Sequence, residues 1–458
     1  MSYWAAERPQ TGQRRTTPAV LHTVAVVYIS LVAGCGSKGG GGVNPDEPDA
    51  GMPDAHIKLE CPGDYAIWPN VQSNSNSDPC LVQRHEAIHE LHPRVLVVLA
   101  NNRDTPQHVT AFANQVIAAF REGSRYHGYN DTRATPQLNY EIAKLVDMRD
   151  ASSQDWPNDW PTTGNSGDLS FVYEGLFTQN FAAHYGYRDL IDPSRNLTLC
   201  ELFEHGIINE VWIAAPRFNG NPLGVYESKA RVQVYDSNSN PLMGQFDNCA
   251  ANGCYDPGIA GKCKVSVRFM ELATDRGPGC GTHATGHGLE GLRSAIPSYR
   301  TNSARFFNFD LIRRYGLSID TPYDQCNYSS SACWAYPNDH TLQRSAEGGA
   351  TVPFFSFERW GEGCGNVHFP PNAPGQYAYS DTTPVLNTCE NYGQHNGAGG
   401  QDLQSEYSKS LVDAYESSYG DCGGGWQIYM RQSMPGYGNG GTGDEGTPMK
   451  SWWPYLYY

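Results

Sequence analysis

The chain has 458 residues, of which 39% are hydrophobic and 12% aromatic, and it carries a formal charge of −16 at pH 7. This acidic balance excludes nucleic acid as a partner, because binding a phosphate backbone needs a basic footprint. The length exceeds what one small core usually holds, so two lobes sharing a boundary are expected.

At the N-terminus Arg14 and Arg15 precede an apolar run from Ala19 to Ile29, broken only by His22 and Thr23. The run is too short to span a bilayer comfortably and fits the core of a signal peptide. It ends at Leu31-Val-Ala-Gly-Cys35, which resembles the bacterial lipobox, where small residues precede a cysteine that is acylated after cleavage. The resemblance implies a lipoprotein signal peptide over residues 1–34, fatty acyl chains such as palmitate on Cys35, and a membrane anchor. With Gly36 next to the cysteine, it also implies an outer-membrane or cell-surface location. The Gly/Pro/Asp-rich stretch that follows holds too few apolar groups to offset ordering entropy, so residues 35–60 are expected to be a flexible tether.

Thirteen cysteines are present, and setting Cys35 aside leaves an even twelve with no C-x-x-C pair among them. In an exported chain such a set reads as disulfides rather than as a zinc-thiolate site. Spacing suggests local bridges Cys61–Cys80 and Cys326–Cys333, and the pairing of the others stays open.

The first lobe, residues 61–235, alternates strand and helix signals. Arg94 to Ala100 is a continuous apolar run bounded by Pro93 and Asn101, the pattern of a strand buried on both faces. In His108 to Phe120, the side chains of Val109, Phe112, Val116, Ile117 and Phe120 share one helical face. A strand over Tyr140 to Met148 follows, then a helix over Leu199 to Gly206 and a strand over Ile207 to Ala214. The alternation predicts an α/β fold with a largely parallel sheet and flanking helices. From 236 to 458 the texture changes to Cys/Gly/Asn-rich loops, with one further strand over Lys264 to Met270 and a helical stretch mixed with Pro297 within Gly291 to Tyr315. Long cross-linked loops standing on a regular sheet are where a site would be built.

Three segments could carry chemistry. His85-Glu86-Ala-Ile-His89 is a literal H-E-x-x-H, in which two histidines one turn apart grip zinc and the glutamate activates a metal-bound water. It is squeezed between Cys80 and Pro93, with little room for a helix, and is held as the alternative metal site. In Gly281 to Glu290, His283, His287 and Glu290 would share a face if the segment were helical, although Gly286 and Gly288 also permit a loop. In Gly363 to Asn372, two prolines after His368 stiffen a frame that would present Asn366, His368 and Asn372 to a ligand. The expected site therefore has His283, His287 and His368 as ligands to zinc or another divalent metal, and Glu290 and Asn372 as catalytic groups. Asp147, Asp150 and Glu227 would lie near strand ends and line the cleft.

Taken together, Leu91-His-Pro-Arg-Val-Leu-Val-Val, Ile208-Asn-Glu-Val-Trp212, Gly286-His-x-x-Glu290, Cys364 to Asn372, Met434-Pro-Gly and Trp452-Trp453 resemble a group of secreted bacterial proteins of unassigned function. The resemblance covers most of Leu91 to Trp453 and implies that Glu210, His287, Glu290, His368 and Asn372 are the positions to test first. Two functions follow from the residues. One is a metal-dependent hydrolase of extracellular peptide or glycan; the other is a non-catalytic surface protein binding such polymers through aromatic-rich loops.

Overall fold

In a computed structural model, which describes residues 60–458 apart from 102, 150–168, 172, 215–222, 256–262, 308–333, 339–340, 345–354, 359–362, 374–376, 396–401 and 444–445, the apolar run from Arg94 to Leu99 is strand β1. Its neighbours in chain order are β2 (Glu141–Asp147), β3 (Glu210–Ala214), β4 (Ser228–Tyr235), β5 (Pro241–Asp247) and β6 (Val267–Leu272). They form one six-stranded sheet in the order β2-β1-β3-β6-β4-β5. The pairs β2/β1, β1/β3 and β3/β6 are parallel, while β4 runs antiparallel to both β6 and β5. The expected α/β class and largely parallel sheet are therefore present.

The period-two alternation of β1 divides its side chains between two cores. Val95, Val97 and Leu99 face the larger core with Val109, Phe112, Val116 and Phe120 of helix α1 (Pro106–Gly123), whose first turn is fixed by Thr105 as N-cap and Pro106. Leu96 and Val98 face a second core with Phe181, Leu199, Leu202 and Phe203. Also in the larger core lie helices α2 (Gly279–Gly291) and α3 (Gly424–Ser433), with Trp452, Trp453, Tyr455, Leu456, Tyr457 and Tyr458. Pro297 begins the helix Pro297–Phe307, as its missing N–H allows at a first turn.

Residues Lys58–Tyr458 make up a single compact unit. The boundary expected at 235/236 falls between adjacent strands, and β6, from the loop-rich half, lies between β3 and β4. Disulfides brace the described residues: Cys61–Cys80, as expected, with Cys200–Cys263, Cys249–Cys254, Cys280–Cys422 and Cys364–Cys389. Cys326 and Cys333 lie outside the described residues, as do Asp150, Cys35, the signal peptide and all of the tether before residue 60. Among the described residues no helix is long and apolar enough to cross a membrane.

Candidate metal centre

Helix α2 has the sequence GCGTHATGHGLEG, which by propensity alone is a poor helix, since each interior glycine costs about 1 kcal/mol relative to alanine. Its glycines mark close approaches. A Cβ at 281 would stand 2.5 Å from Val116 Cγ1, one at 286 would stand 2.5 Å from Val367 Cγ2, and one at 291 would stand 2.4 Å from the Ala250 carbonyl. Tertiary packing thus overrides propensity, and the choice between helix and loop that the sequence left open resolves to helix. The Cys280–Cys422 bridge pins the first turn.

Because the segment is helical, His283 and His287 lie one turn apart on one face, both buried. His368 reaches them from the 363–373 loop, which the Cys364–Cys389 bridge holds. Asn366 shapes its turn, Oδ1 accepting the backbone N–H of His368 and Phe369. The ring centroids are 5.1 Å apart for His283 and His287, 5.2 Å for His283 and His368, and 4.9 Å for His287 and His368. One donor atom from each of the three rings lies within 4.8 Å of the others. The three expected ligands therefore converge across 81 residues of chain, from 287 to 368, in a geometry that could hold a metal ion.

Neighbouring groups orient the rings. The Tyr379 hydroxyl donates to the Val367 carbonyl at 2.9 Å and stands 3.4 Å from His283 Nδ1. A hydroxyl whose proton is used in this way accepts from Nδ1–H, which leaves the His283 Nε2 lone pair free. Glu290 Oε2 is 3.4 Å from His287 Nδ1, and its Oε1 accepts the Val367 N–H at 2.9 Å. This is the carboxylate behind a ligating histidine that fixes ring orientation and raises basicity. Glu290 therefore orients His287 and ties α2 to the His368 loop. On the other side, Glu227 Oε2 is 3.3 Å from His287 Nε2 and 3.8 Å from His283 Nε2, and accepts from Asn252 Nδ2 at 2.9 Å. His287 Nε2 is buried without a well-aligned hydrogen bond of its own. At the outer side Tyr377, partly exposed, places its hydroxyl 3.2 Å from His368 Nε2.

The electrostatics follow from burial and these partners. Burial and the charge on His287 hold His283 neutral, with a pKa pushed down to about 3, and hold His368 down at about 4. Burial opposes charge on His287 too, but the Glu227 and Glu290 carboxylates beside its two ring nitrogens outweigh it and raise the group to about 9. Burial would raise Glu290; the hydrogen bond and charge of His287 reverse this and bring it to about 2. Metal-free, the site keeps one imidazolium between two carboxylates. A divalent cation would balance the two carboxylates and leave all three rings neutral, as ligation requires.

Several expected residues stand elsewhere. Asn372, expected as a catalytic group, is buried and its amide donates to the carbonyls of Asp381 and Thr383, so its N–H groups are spent clamping a loop. His85, Glu86 and Ala87 form a single 3-10 turn instead of an α-helix. Both ring nitrogens of buried His85 are engaged, by the Tyr458 hydroxyl at 2.5 Å and the Ser451 carbonyl at 2.8 Å, while His89 lies exposed against Tyr437 at 3.9 Å between centroids. The alternative H-E-x-x-H site is thus not formed. Glu210 sits in the core of β3, accepting from Tyr140 and Trp212, and burial raises its pKa. Asp147 is paired with Arg149. Of the acidic groups expected to line the cleft, Glu227 alone is seen to reach the histidines. Tyr377 and Tyr379 carry no sequence signal beyond lying shortly after His368. Cys280, Asp421 and Cys422 also cluster, but the two sulfurs are spent in a disulfide.

A scan of family models and a search of curated proteins match nothing to this chain.

Proposed function

We propose that this chain is a metal-dependent hydrolase of extracellular peptide or glycan, working at a divalent ion held by His283, His287 and His368. The observation that carries the reading is the convergence of three imidazoles, with His287 Nε2 buried toward the cluster and lacking a well-aligned hydrogen bond. Three nitrogen donors with carboxylates beside them suit zinc, which polarises a substrate carbonyl and lowers the pKa of bound water to about 7. The competing reading, a flat aromatic binding platform, draws no support from Trp68, Trp212, Trp426, Trp452 and Trp453, all buried in the core.

The test is elemental analysis of purified protein with hydrolysis of a panel of peptide, ester and glycan substrates before and after chelation. The expectation is about one zinc per chain, activity lost on chelation and restored by zinc, and both metal and activity lost in His287→Ala. Wild-type protein that takes up no divalent metal would sink the proposal.

The same reading locates the enzyme on a membrane through a lipid on Cys35, supported by the lipobox resemblance and by disulfides that form in oxidising compartments. Cys35→Ala should then release a soluble or unprocessed form. Membrane fractionation showing a mature-sized, acylated variant would contradict it.

A further inference from the structure

An H-E-x-x-H helix supplies its own acidic residue between its two ligands. Helix α2 keeps the spacing of the histidines but has Ala284 at that place, and Ala284 is packed in the hydrophobic core. The position between the two histidines therefore offers the metal no carboxylate. Glu290 is turned to His287 Nδ1 and the Val367 amide, behind the ring. Glu227 stands on the opposite side, facing Nε2 of both helical histidines.

We propose that Glu227 is the fourth ligand of the resting metal site, an inference that rests on the metal reading above. In a tetrahedral site with bonds of about 2.1 Å, neighbouring donor atoms lie about 3.4 Å apart. Glu227 Oε2, at 3.3 Å and 3.8 Å from the two Nε2 atoms, has the separation from the two helical histidines that such a donor needs. Its backbone is fixed by the start of β4, where the Glu227 carbonyl accepts the Glu271 amide, and its carboxylate by Asn252. At 19% side-chain exposure it is more open than His283 or His287, at 5% and 10%. Of these three it is the one that an incoming water or substrate oxygen would displace. A metal held in this way would be closed off at rest by the chain's own carboxylate, and moving Glu227 aside would open a position for substrate.

Two experiments use the metal alone. In a crystal structure of the zinc-loaded wild-type chain, a Glu227 oxygen should lie within about 2.2 Å of the ion. A water at that vertex, with both Glu227 oxygens beyond about 3 Å, would overturn the assignment. In the cobalt-substituted protein, Glu227→Ala should weaken metal binding about tenfold or more and should bind azide at the vacated position more tightly than wild type does. Equal cobalt and azide affinities in the two proteins, both folded by circular dichroism, would also overturn it while leaving the three-histidine centre standing. Wild-type protein that binds no cobalt or zinc removes the metal reading and this inference together.

Discussion

The two histidine pairs of this chain show how little a spacing says until the backbone is known. His85 and His89 match a metal-binding pattern letter for letter, yet His85 is a core hydrogen-bonding residue. Its Nε2–H donates to the Ser451 carbonyl and its Nδ1 accepts from Tyr458. Burial foremost, and then the nearby charge of Lys450, push its pKa down to about 3. Between pH 6.5 and 3 the unfolded chain therefore takes up a proton that the native ring refuses. The stability His85 contributes is complete above pH 6.5 and is lost as the pH falls toward 3. His85→Ala should destabilise the protein by about 2–4 kcal/mol at neutral pH, through the cavity and the orphaned Tyr458 and Ser451 groups, and leave metal content unchanged. In urea denaturation at pH 7.5 and pH 5, the gap between wild type and variant should narrow at the lower pH. Loss of metal in this variant would restore the H-E-x-x-H reading.

At the scale of elements, β1 and α1 were legible because burial writes a period into the sequence: an unbroken apolar run for a strand covered on both faces, a 3.6-residue stripe for a helix covered on one. Helix α2 was not, because its glycines answer to neighbours that propensity does not see. Glu227 was one of three acidic residues expected near strand ends, but which of them meets the histidines depends on Ser228 pairing with Met270 in the β4/β6 register. The approach of His368 was expected from its stiff loop, but not what holds that loop, a disulfide whose partner no spacing rule names. Gly286 gives the sharpest test of this view. Gly286→Ala raises helix propensity by about 1 kcal/mol, but its Cβ would meet Val367 Cγ2 at 2.5 Å and push the His368 loop from α2. The variant should bind metal more weakly by isothermal titration calorimetry while its disulfides stay formed. Unchanged metal affinity would show that the loop is not seated by this contact.

At the scale of the molecule, two staples serve the site. Cys280–Cys422 closes a loop with a sequence separation of 142, which in the chain-entropy model contributes about 5 kcal/mol, and Cys364–Cys389 holds the remaining ligand loop. The sheet order carries a consequence of another kind, in time. Strand β6 lies between β3 and β4, yet both of these precede it in the chain. Until residues 267–272 arrive, the edges of β3 and β4 that β6 will cover stay unpaired, and both strands are almost wholly buried in the finished fold. An incomplete chain of this kind offers bare apolar edges to any other chain nearby, the usual start of aggregation. A fragment covering residues 60–255 should therefore associate and pellet on centrifugation, whereas one covering 60–458 should refold slowly, as non-local pairing demands, and stay monodisperse. A soluble, monomeric 60–255 fragment with native-like circular dichroism would mean that the first strands close a sheet of their own, and that β6 is a later insertion rather than the keystone.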